Sequence, residues 1–288
     1  MSRPDVKAFF DPATNTISYV VTDPESRVCA VIDSLLDYDQ ASGRTSTGSA
    51  DKLIAYIREN DLKLDWIIDT HVHADHLTAA PYIREQLGGR TAIGEHISKV
   101  QKVFGALFNA EQSFHTDGSQ FDHLFTDGEA YQVGSIVAKA IHTPGHTPAC
   151  MSHLIGDALF VGDTIFMPDF GTARCDFPGG NAGTLYDSIQ KLFALPPETR
   201  MFLCHDYKAP GRDEYVWETT VEEQKAHNIH VGGGASREAF IQMRDARDAT
   251  LAMPTLILPS VQVNMRAGDM PPPEADGKRF IKIPINAL

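Results

Sequence analysis

Short apolar stretches separated by turn residues open the chain, and longer periodic segments follow them. Residues 6–35 hold apolar stretches broken by two Asp-Pro pairs, which predicts short antiparallel strands. The apolar positions of residues 50–60 recur on one face of a helix, whereas residues 64–70 form an apolar run typical of a buried strand. The chain therefore begins as a sheet and then alternates helices with strands.

The same two patterns recur through the rest of the chain. Helices are predicted over residues 78–87, 96–108 and 185–195, and as a pair around three consecutive glycines within residues 219–252. Strands are predicted over residues 91–94, 130–133, 136–141, 150–154, 158–163 and 201–205. Residues 253–288 combine apolar runs with three consecutive prolines.

Strands alternate with helices in both halves, and antiparallel strand patterns begin each half. This order predicts an α/β protein with two mixed sheets packed face to face and helices on the outside. A chain of 288 residues is long for one small domain and short for two large ones. We therefore expect a main catalytic domain over residues 1–218. C-terminal helices and a tail, residues 219–288, would pack on the same domain.

Composition says less about the fold than about partners. Hydrophobic residues make up 42% and charged residues 22%, as in ordinary globular proteins, and no apolar run approaches the roughly 20 residues of a membrane span. The net charge of -13 disfavours binding to nucleic acids and to anionic membrane surfaces. The first residues lead into no apolar segment, and the 4 cysteines form no C-x-x-C pair. We therefore expect no secretory signal and a reducing, cytoplasmic location.

Histidines and acidic residues cluster where predicted strands end. They are His71, His73, Asp75 and His76 after the strand at 64–70, and His146, Asp163 and His205 after three later strands. Ligands bind at strand ends in α/β layers because the loops there converge. Imidazole and carboxylate groups suit Zn, Fe or Mn, so this constellation predicts a metal site. Isolated histidines are expected to be ordinary surface or core residues: His115, His123, His153, His227 and His230.

These residues resemble the ligand motifs of the metallo-β-lactamase superfamily. The match runs from His71-Val72-His73-Ala74-Asp75-His76 through His146 in Pro-Gly-His-Thr and Asp163 in Gly-Asp-Thr to His205. Three flanking segments, residues 169–177, 205–208 and 258–268, resemble the ETHE-one-like persulfide dioxygenases in their longer bacterial branch. The resemblance implies an αββα sandwich with the metal at the sheet edges and a C-terminal extension.

The resemblance further implies one Fe(II) per chain, held by His71, His146 and Asp163, with open positions for substrate and oxygen. The outer positions around these ligands would be taken by His73, Asp75, His76 and His205. The implied reaction converts glutathione persulfide, O2 and water to sulfite and glutathione, in the detoxification of hydrogen sulfide. Because dinuclear relatives use the same positions to hold two metals, the sequence alone leaves metal identity and number open.

An anionic substrate on an acidic protein needs a local cation, and arginine matches a carboxylate better than lysine does. We predict that Arg174, Tyr207 and Arg266 contact the substrate; the alternative for each is a surface charge or an ordinary core residue. The apolar segment that contains Asn264 and Arg266 is expected to pack beside the metal face near the substrate mouth. It could instead form a cap or the contact of a homodimer.

Two other functions remain open on the sequence. A dinuclear thioesterase of the glyoxalase II type would share the fold, the ligands and a glutathione substrate. A non-catalytic persulfide-binding module is the other alternative, although it would have no need of an open redox-metal face. A β-lactamase is disfavoured because no export signal is evident, and a nuclease is disfavoured by the negative charge.

Overall fold

The computed structural model describes residues 3–287 and places fourteen strands and seven helices in that range. In chain order the elements are β1 (Asp5–Asp11), β2 (Thr16–Thr22), β3 (Val28–Ile32), β4 (Asp37–Asp39), β5 (Arg44–Ser46), α1 (Gly48–Glu59), β6 (Lys63–Ile68), α2 (Ala80–Leu87), β7 (Arg90–Gly94), α3 (Ile97–Leu107), β8 (His123–Phe125), β9 (Ala130–Val133), β10 (Ile136–His142), β11 (Met151–Ile155), β12 (Ala158–Phe160), α4 (Ala182–Phe193), β13 (Arg200–Phe202), β14 (Glu218–Thr220), α5 (Val221–His227), α6 (Arg237–Asp248) and α7 (Ile257–Asn264). Within residues 3–287, every helix is too short or too polar to span a bilayer.

Two six-stranded sheets form the centre of the molecule. The first has the order β1-β2-β3-β6-β7-β8, and the second has the order β14-β13-β12-β11-β10-β9. In the first sheet, β1, β2 and β3 pair antiparallel, whereas β3, β6, β7 and β8 pair in parallel. In the second, β12 and β13 are parallel and the other neighbours are antiparallel. Both sheets are therefore mixed, as the sequence predicts.

The sheets pack face to face through an aromatic-rich core. Alternate residues of β10 are buried and exposed, which is the period of two that a half-covered strand requires. Between the sheets, Tyr19 of β2 lies edge-on to Phe160 and Phe202, with ring centroids 5.3 and 5.6 Å apart. Full burial of one such side chain stabilises the fold by roughly 1.5–3 kcal/mol, so this contact fixes how the sheets face each other.

Helices cover the outer face of each sheet and complete an αββα sandwich. Helices α1 and α2 bury Leu53 and Ile83 against the first sheet, and α4 and α6 bury Leu185 and Phe240 against the second. Helix α7 packs with α3 in a further apolar cluster. The predicted fold class is confirmed by this arrangement.

Four features differ from the sequence-based expectation. The hairpin of β4 with β5 and the strands β8 and β14 were not predicted, because three residues are too few to show a period. The tail segment, expected only to pack on the sandwich, forms helix α7. Seven of its eight residues are buried, so no polar face marks it as a helix.

Candidate metal centre

Four chain segments from the two sheets meet at one edge of the sandwich. Strand β6 of the first sheet leads into the loop that carries His71, while β10, β12 and β13 of the second sheet lead to His146, Asp163 and His205. Residues 71–76 adopt neither helix nor strand. Their side chains are therefore positioned by tertiary contacts and not by a regular element.

His71, His146 and Asp163 form a buried three-residue group. Nε2 of His71 lies 4.0 Å and Nε2 of His146 lies 3.7 Å from Oδ2 of Asp163. One potential ligand atom from each residue lies within 4.8 Å of the other two. The three side chains thus converge on one point, and that point can accept a metal ion.

Hydrogen bonds orient the two rings of this group. The hydroxyl of Thr70 donates to Asp33 (2.9 Å), so its oxygen accepts from Nδ1–H of His71 (3.0 Å). Nδ1–H of His146 donates to the carbonyl of Arg174 (2.8 Å). Both Nε2 lone pairs are thereby left to face the carboxylate, which is the arrangement of metal-ligating histidines.

Burial also keeps His71 in the form that binds metal. Loss of hydration, followed by the nearby rings of His73 and His146, holds the pKa of His71 well below its usual value. A neutral ring offers a lone pair, whereas a protonated one offers none.

Asp75, His76 and His205 form an adjoining group. Nε2 of His205 lies 3.3 Å from Asp75 Oδ2 and 3.3 Å from Asp163 Oδ1, and Nδ1 of His76 lies 3.5 Å from Asp75 Oδ2. Asp163 therefore borders both groups. The geometry accommodates one metal at the first group or two metals that share Asp163.

His73 is held differently from its neighbours. Its Nε2 donates to Asp33 Oδ1 at 3.0 Å, and both residues are buried. Although burial opposes a charged ring, the charge and hydrogen bond of Asp33 raise the pKa of His73 to about 9. His73 thus forms a buried ion pair that fixes the loop, with its Nδ1 turned away from Asp33.

Several buried polar atoms of the two groups and of His73 have no hydrogen-bond partner among residues 3–287. They are Nε2 of His71, Nδ1 of His73, Nε2 of His76, Oδ1 of Asp163 and Nε2 of His205. Leaving one such atom unsatisfied costs about 1–3 kcal/mol, and buried polar groups are rarely left so. A bound cation would satisfy these atoms, except Nδ1–H of the protonated His73, so the donor set fits a metal centre of nitrogen and oxygen ligands.

A cavity of about 570 Å³ opens onto Asp75, His146 and Asp163. Aromatic side chains form much of its wall: Phe166, Phe170, Phe177 and Tyr207. The ring of Tyr207 stacks on His205 with centroids 5.7 Å apart, and it lies 5.0 Å from Phe170. Tyr207 thus stands beside the metal groups, where the sequence places it, and is 41% exposed to an incoming molecule.

Arg174 also lines this cavity, but its charged group is already engaged. Its guanidinium makes two 2.6 Å hydrogen bonds to the carboxylate of Asp176 and a third, also 2.6 Å, to the carbonyl of Ala252. Contact of Arg174 with a substrate remains a prediction. The geometry shows that this side chain supports the wall and, through its carbonyl, orients His146.

Arg247 lines the same cavity and was missed by the sequence reasoning. It is exposed on α6, and within residues 3–287 it has no ion-pair partner. Its neighbour Arg244 is buried and neutralised by Asp248 at 2.7 Å. The two arginines lie three positions apart on a predicted helix, and this spacing was the sequence feature that could have pointed to Arg247. Only the fold shows that Arg244 is paired with Asp248, whereas Arg247 has no ion-pair partner within the described residues.

Arg266 does not line the cavity of the metal groups. Its guanidinium donates to Glu111 Oε2 (2.7 Å) and to the carbonyl of Gln262 (2.8 Å), and it borders a separate cavity of about 700 Å³. From the same tail, residues 254–256 do line the metal-facing cavity. The segment therefore lies beside the metal face, with its arginine directed elsewhere.

Three of the isolated histidines have ordinary roles. His123 pairs with Glu129 at 2.7 Å, and His153 lies 3.0 Å from the hydroxyl of Tyr131. His230 accepts from the backbone N–H of Thr172 at 3.0 Å. Each makes a local structural contact away from the two metal groups.

Comparison with known proteins identifies relatives over almost the whole chain. The family model described as "Metallo-beta-lactamase superfamily" matches residues 11–205. The chain is 54% identical to a probable metallo-hydrolase of Burkholderia pseudomallei, over 98% of this chain and 99% of the relative. It is 49% identical to Glyoxylase B2 of Dictyostelium discoideum, over 100% and 99%.

Relatives named for persulfide dioxygenase activity share a lower identity with this chain. The mitochondrial persulfide dioxygenase ETHE1 of Bos taurus is 30% identical over 93% of this chain and 90% of its own length. The crystal structure of ETHE1 from Myxococcus xanthus superposes with a TM-score of 0.73 and 32% identity, covering 92% of this chain and all of that one. The similarity thus extends beyond the matched family region into the C-terminal helices.

Proposed function

The chain belongs to the metallo-β-lactamase superfamily, whose members are metal-dependent enzymes, and from that premise we propose that it is a persulfide dioxygenase. It oxidises glutathione persulfide with O2 and water to sulfite and glutathione. The observation that carries the proposal is the similarity to a persulfide dioxygenase over 93% of the chain. The three-residue group open to an aromatic cavity supports it.

One Fe(II) per chain would be held by His71, His146 and Asp163. Two imidazoles and one carboxylate on a single face are the ligand set of non-haem iron oxygenases. Bound there, the iron supplies oxygen chemistry that amino-acid side chains lack. His73, Asp75, His76 and His205 surround this group without serving as its ligands.

The protein itself binds and orients the substrate. Glutathione persulfide is anionic, and among the described residues that line the cavity Arg247 is the cation without an ion-pair partner, at the exposed side. A guanidinium forms paired hydrogen bonds with a carboxylate, so Arg247 is suited to the glutathione moiety. Tyr207 adds a phenol beside the metal groups, and Phe166 and Phe170 help to exclude water from the reacting sulfur.

The cysteines agree with the proposed location. Cys29, Cys150, Cys175 and Cys204 are all free and buried. Burial is the main reason that the pKa of Cys150 is raised to about 12, so this thiol stays protonated and unreactive. Free structural thiols are typical of a reducing cytoplasm, where we place the protein.

A dinuclear thioesterase of the glyoxalase II type is the second candidate. The relative named Glyoxylase B2 favours it, and so does the presence of Asp75, His76 and His205 beside the first group. In that case Asp163 would bridge two metals and the reaction would be hydrolysis of a glutathione thioester.

Two parallel assays on one preparation of metal-loaded protein distinguish the dioxygenase from the thioesterase. With glutathione persulfide we expect oxygen uptake matched by sulfite release, and with a glutathione thioester we expect no cleavage above that of metal-free protein. Thioester cleavage without oxygen uptake would establish the hydrolase instead. Binding of persulfide with neither reaction would indicate the non-catalytic module.

A further inference from the structure

The loop that carries His71, His73, Asp75 and His76 forms few main-chain hydrogen bonds within residues 3–287. Among residues 3–287, the main-chain atoms of residues 71–76 form two hydrogen bonds, both with one side chain. Nδ2 of Asn264 donates to the carbonyl of His73 at 2.9 Å and to the carbonyl of His76 at 2.8 Å. Within the described part of the chain, Asn264 is thus the residue that holds the backbone path of this loop by hydrogen bonds.

Asn264 reaches the end of the loop as well. Its Oδ1 accepts from the backbone N–H of Thr78 at 2.8 Å. The side chain is only 2% exposed, and it uses both of its amide hydrogens and its carbonyl oxygen. Asn264 therefore ties the loop at three points to the last residue of α7.

The backbone after Asn264 is shaped for this close approach. Gly268 adopts a φ of +91°, and a Cβ there would lie 2.5 Å from Pro81 Cδ and 2.9 Å from Thr78 Cγ2. Glycine permits both the left-handed conformation and the contact. The C-terminal segment thus packs directly against the residues that follow the metal-group loop.

We propose that Asn264 is a positioning residue for the metal centre: it fixes the main-chain path of residues 71–76 and so the directions of the ring and carboxylate ligand atoms. A fixed peptide plane sets where each Cβ points, and outer contacts of this kind typically change metal affinity by tenfold to a hundredfold. The inference rests on the metal-binding part of the proposed function and is independent of the substrate.

Gln262 provides a matched control on the same helix. It is also 2% exposed and also uses its amide fully, but it bonds to the carbonyls of Leu258 and Lys282 and to the N–H of Lys282. Its loss removes a buried amide of α7 without touching residues 71–76. The pair Asn264→Ala and Gln262→Ala therefore separates positioning from general stability.

The test uses the full chain loaded with Co(II), whose visible spectrum reports ligand number and geometry. We expect both variants to lower the melting temperature of the metal-free protein. Only Asn264→Ala should alter the Co(II) spectrum and speed metal release to a chelator by about tenfold or more. A spectrum and release rate equal to those of Gln262→Ala would overturn the inference.

If Asn264→Ala does not fold, Asn264→Asp serves in its place. It keeps the size of the side chain and the acceptor for Thr78, but it replaces both donated hydrogens with oxygen that faces two carbonyls. The same two readouts apply. Oxygen uptake is measured separately on the wild type. Its absence would contradict the proposed persulfide dioxygenase activity. It would not contradict the positioning role of Asn264, because the Co(II) spectrum requires only bound metal.

Discussion

Unsatisfied atoms of individual side chains determine what this site can hold. Nε2 of His71 and Oδ1 of Asp163 are buried and have no hydrogen-bond partner among residues 3–287, and the other nitrogen of His71 is occupied by Thr70. In water each would be solvated, so the folded chain loses free energy at each atom unless a cation binds. The arrangement therefore favours metal retention in the folded state.

Single-ligand variants distinguish one metal from two. His71→Ala, His146→Ala and Asp163→Ala should each abolish iron retention, because each would remove one of the three proposed protein ligands. His76→Ala should keep most of the iron, since that ring belongs to the adjoining group. The measurement is iron per chain after gel filtration. Loss in His76→Ala as complete as in His71→Ala would contradict the mononuclear assignment.

Arg247 and Arg174 should differ in their effect on the kinetics. Arg247→Ala is expected to raise KM for glutathione persulfide about fivefold with little change in kcat, because an exposed charge pair contributes ~1 kcal/mol. Arg174→Ala should raise KM less, since Asp176 and Ala252 already occupy its donors. Gln242→Ala, an exposed change on the same helix, is the control. Equal KM values for Arg247→Ala and the control would remove Arg247 from the substrate site.

Sequence could identify the candidate ligands but not the residues that support them. His71, His73, Asp75 and His76 lie within six positions, so their type and spacing are visible without a fold. Asn264 contacts that loop from almost 200 positions away, and the free charge of Arg247 depends on which carboxylates lie nearby. Such contacts exist only after packing, and no local pattern encodes them.

The C-terminal segment stabilises the fold in addition to holding the loop of residues 71–76 through Asn264. Arg266, which borders the separate cavity, is 6% exposed and pairs with Glu111 at 2.7 Å. We expect Arg266→Ala to lower the free energy of unfolding by about 1–3 kcal/mol and to leave KM unchanged. Arg279→Ala, an exposed arginine of the same cavity, should change stability much less. Urea unfolding measures the free energy of unfolding, and steady-state kinetics measure KM. A raised KM in Arg266→Ala would indicate that Arg266 does contact the substrate.

The loop of residues 165–172 is docked on His230, and this contact should depend on pH. Burial, followed by the positive charges of Arg244 and Arg247, lowers the pKa of His230 to about 4. Its Nδ1 accepts from the N–H of Thr172, which a protonated ring cannot do.

In the unfolded chain the pKa of His230 returns to about 6.5, so the unfolded state binds more protons between pH 6.5 and 4. The stability that neutral His230 provides is therefore present above pH 6.5 and is lost as pH falls toward 4. His230→Asn keeps an acceptor without a titrating ring. Urea unfolding at pH 7 and pH 5 should show a smaller loss for this variant, measured metal-free; an equal loss would contradict the assignment.

Element boundaries follow from sequence wherever one face stays in water. Helices α1 and α4 were predicted because their buried and exposed residues alternate with a helical period. Helix α7 lacks that period because it is enclosed, and Pro259 in its first turn, which a helix tolerates, reads in sequence as a break. The sequence of a segment does not show whether the rest of the molecule encloses that segment.

For the whole molecule, face-to-face packing brings the ends of strands from separate sheets to one edge. His71 follows a strand of the first sheet, whereas His146 and Asp163 follow strands of the second. The metal centre therefore depends on the docking of both sheets. The chain has a net charge of -13, so the proposed anionic substrate would depend on a local cation such as Arg247 to offset the repulsion of the surrounding negative charge.

Titration of metal-free protein with Fe(II), followed by oxygen uptake on glutathione persulfide, tests the central claim most directly. The account predicts that uptake and sulfite release rise together and saturate at one Fe(II) per chain, and that Zn(II), which has no redox chemistry, gives neither. Saturation at two metals per chain, or full activity with Zn(II) on a glutathione thioester and no oxygen uptake with iron, would contradict it.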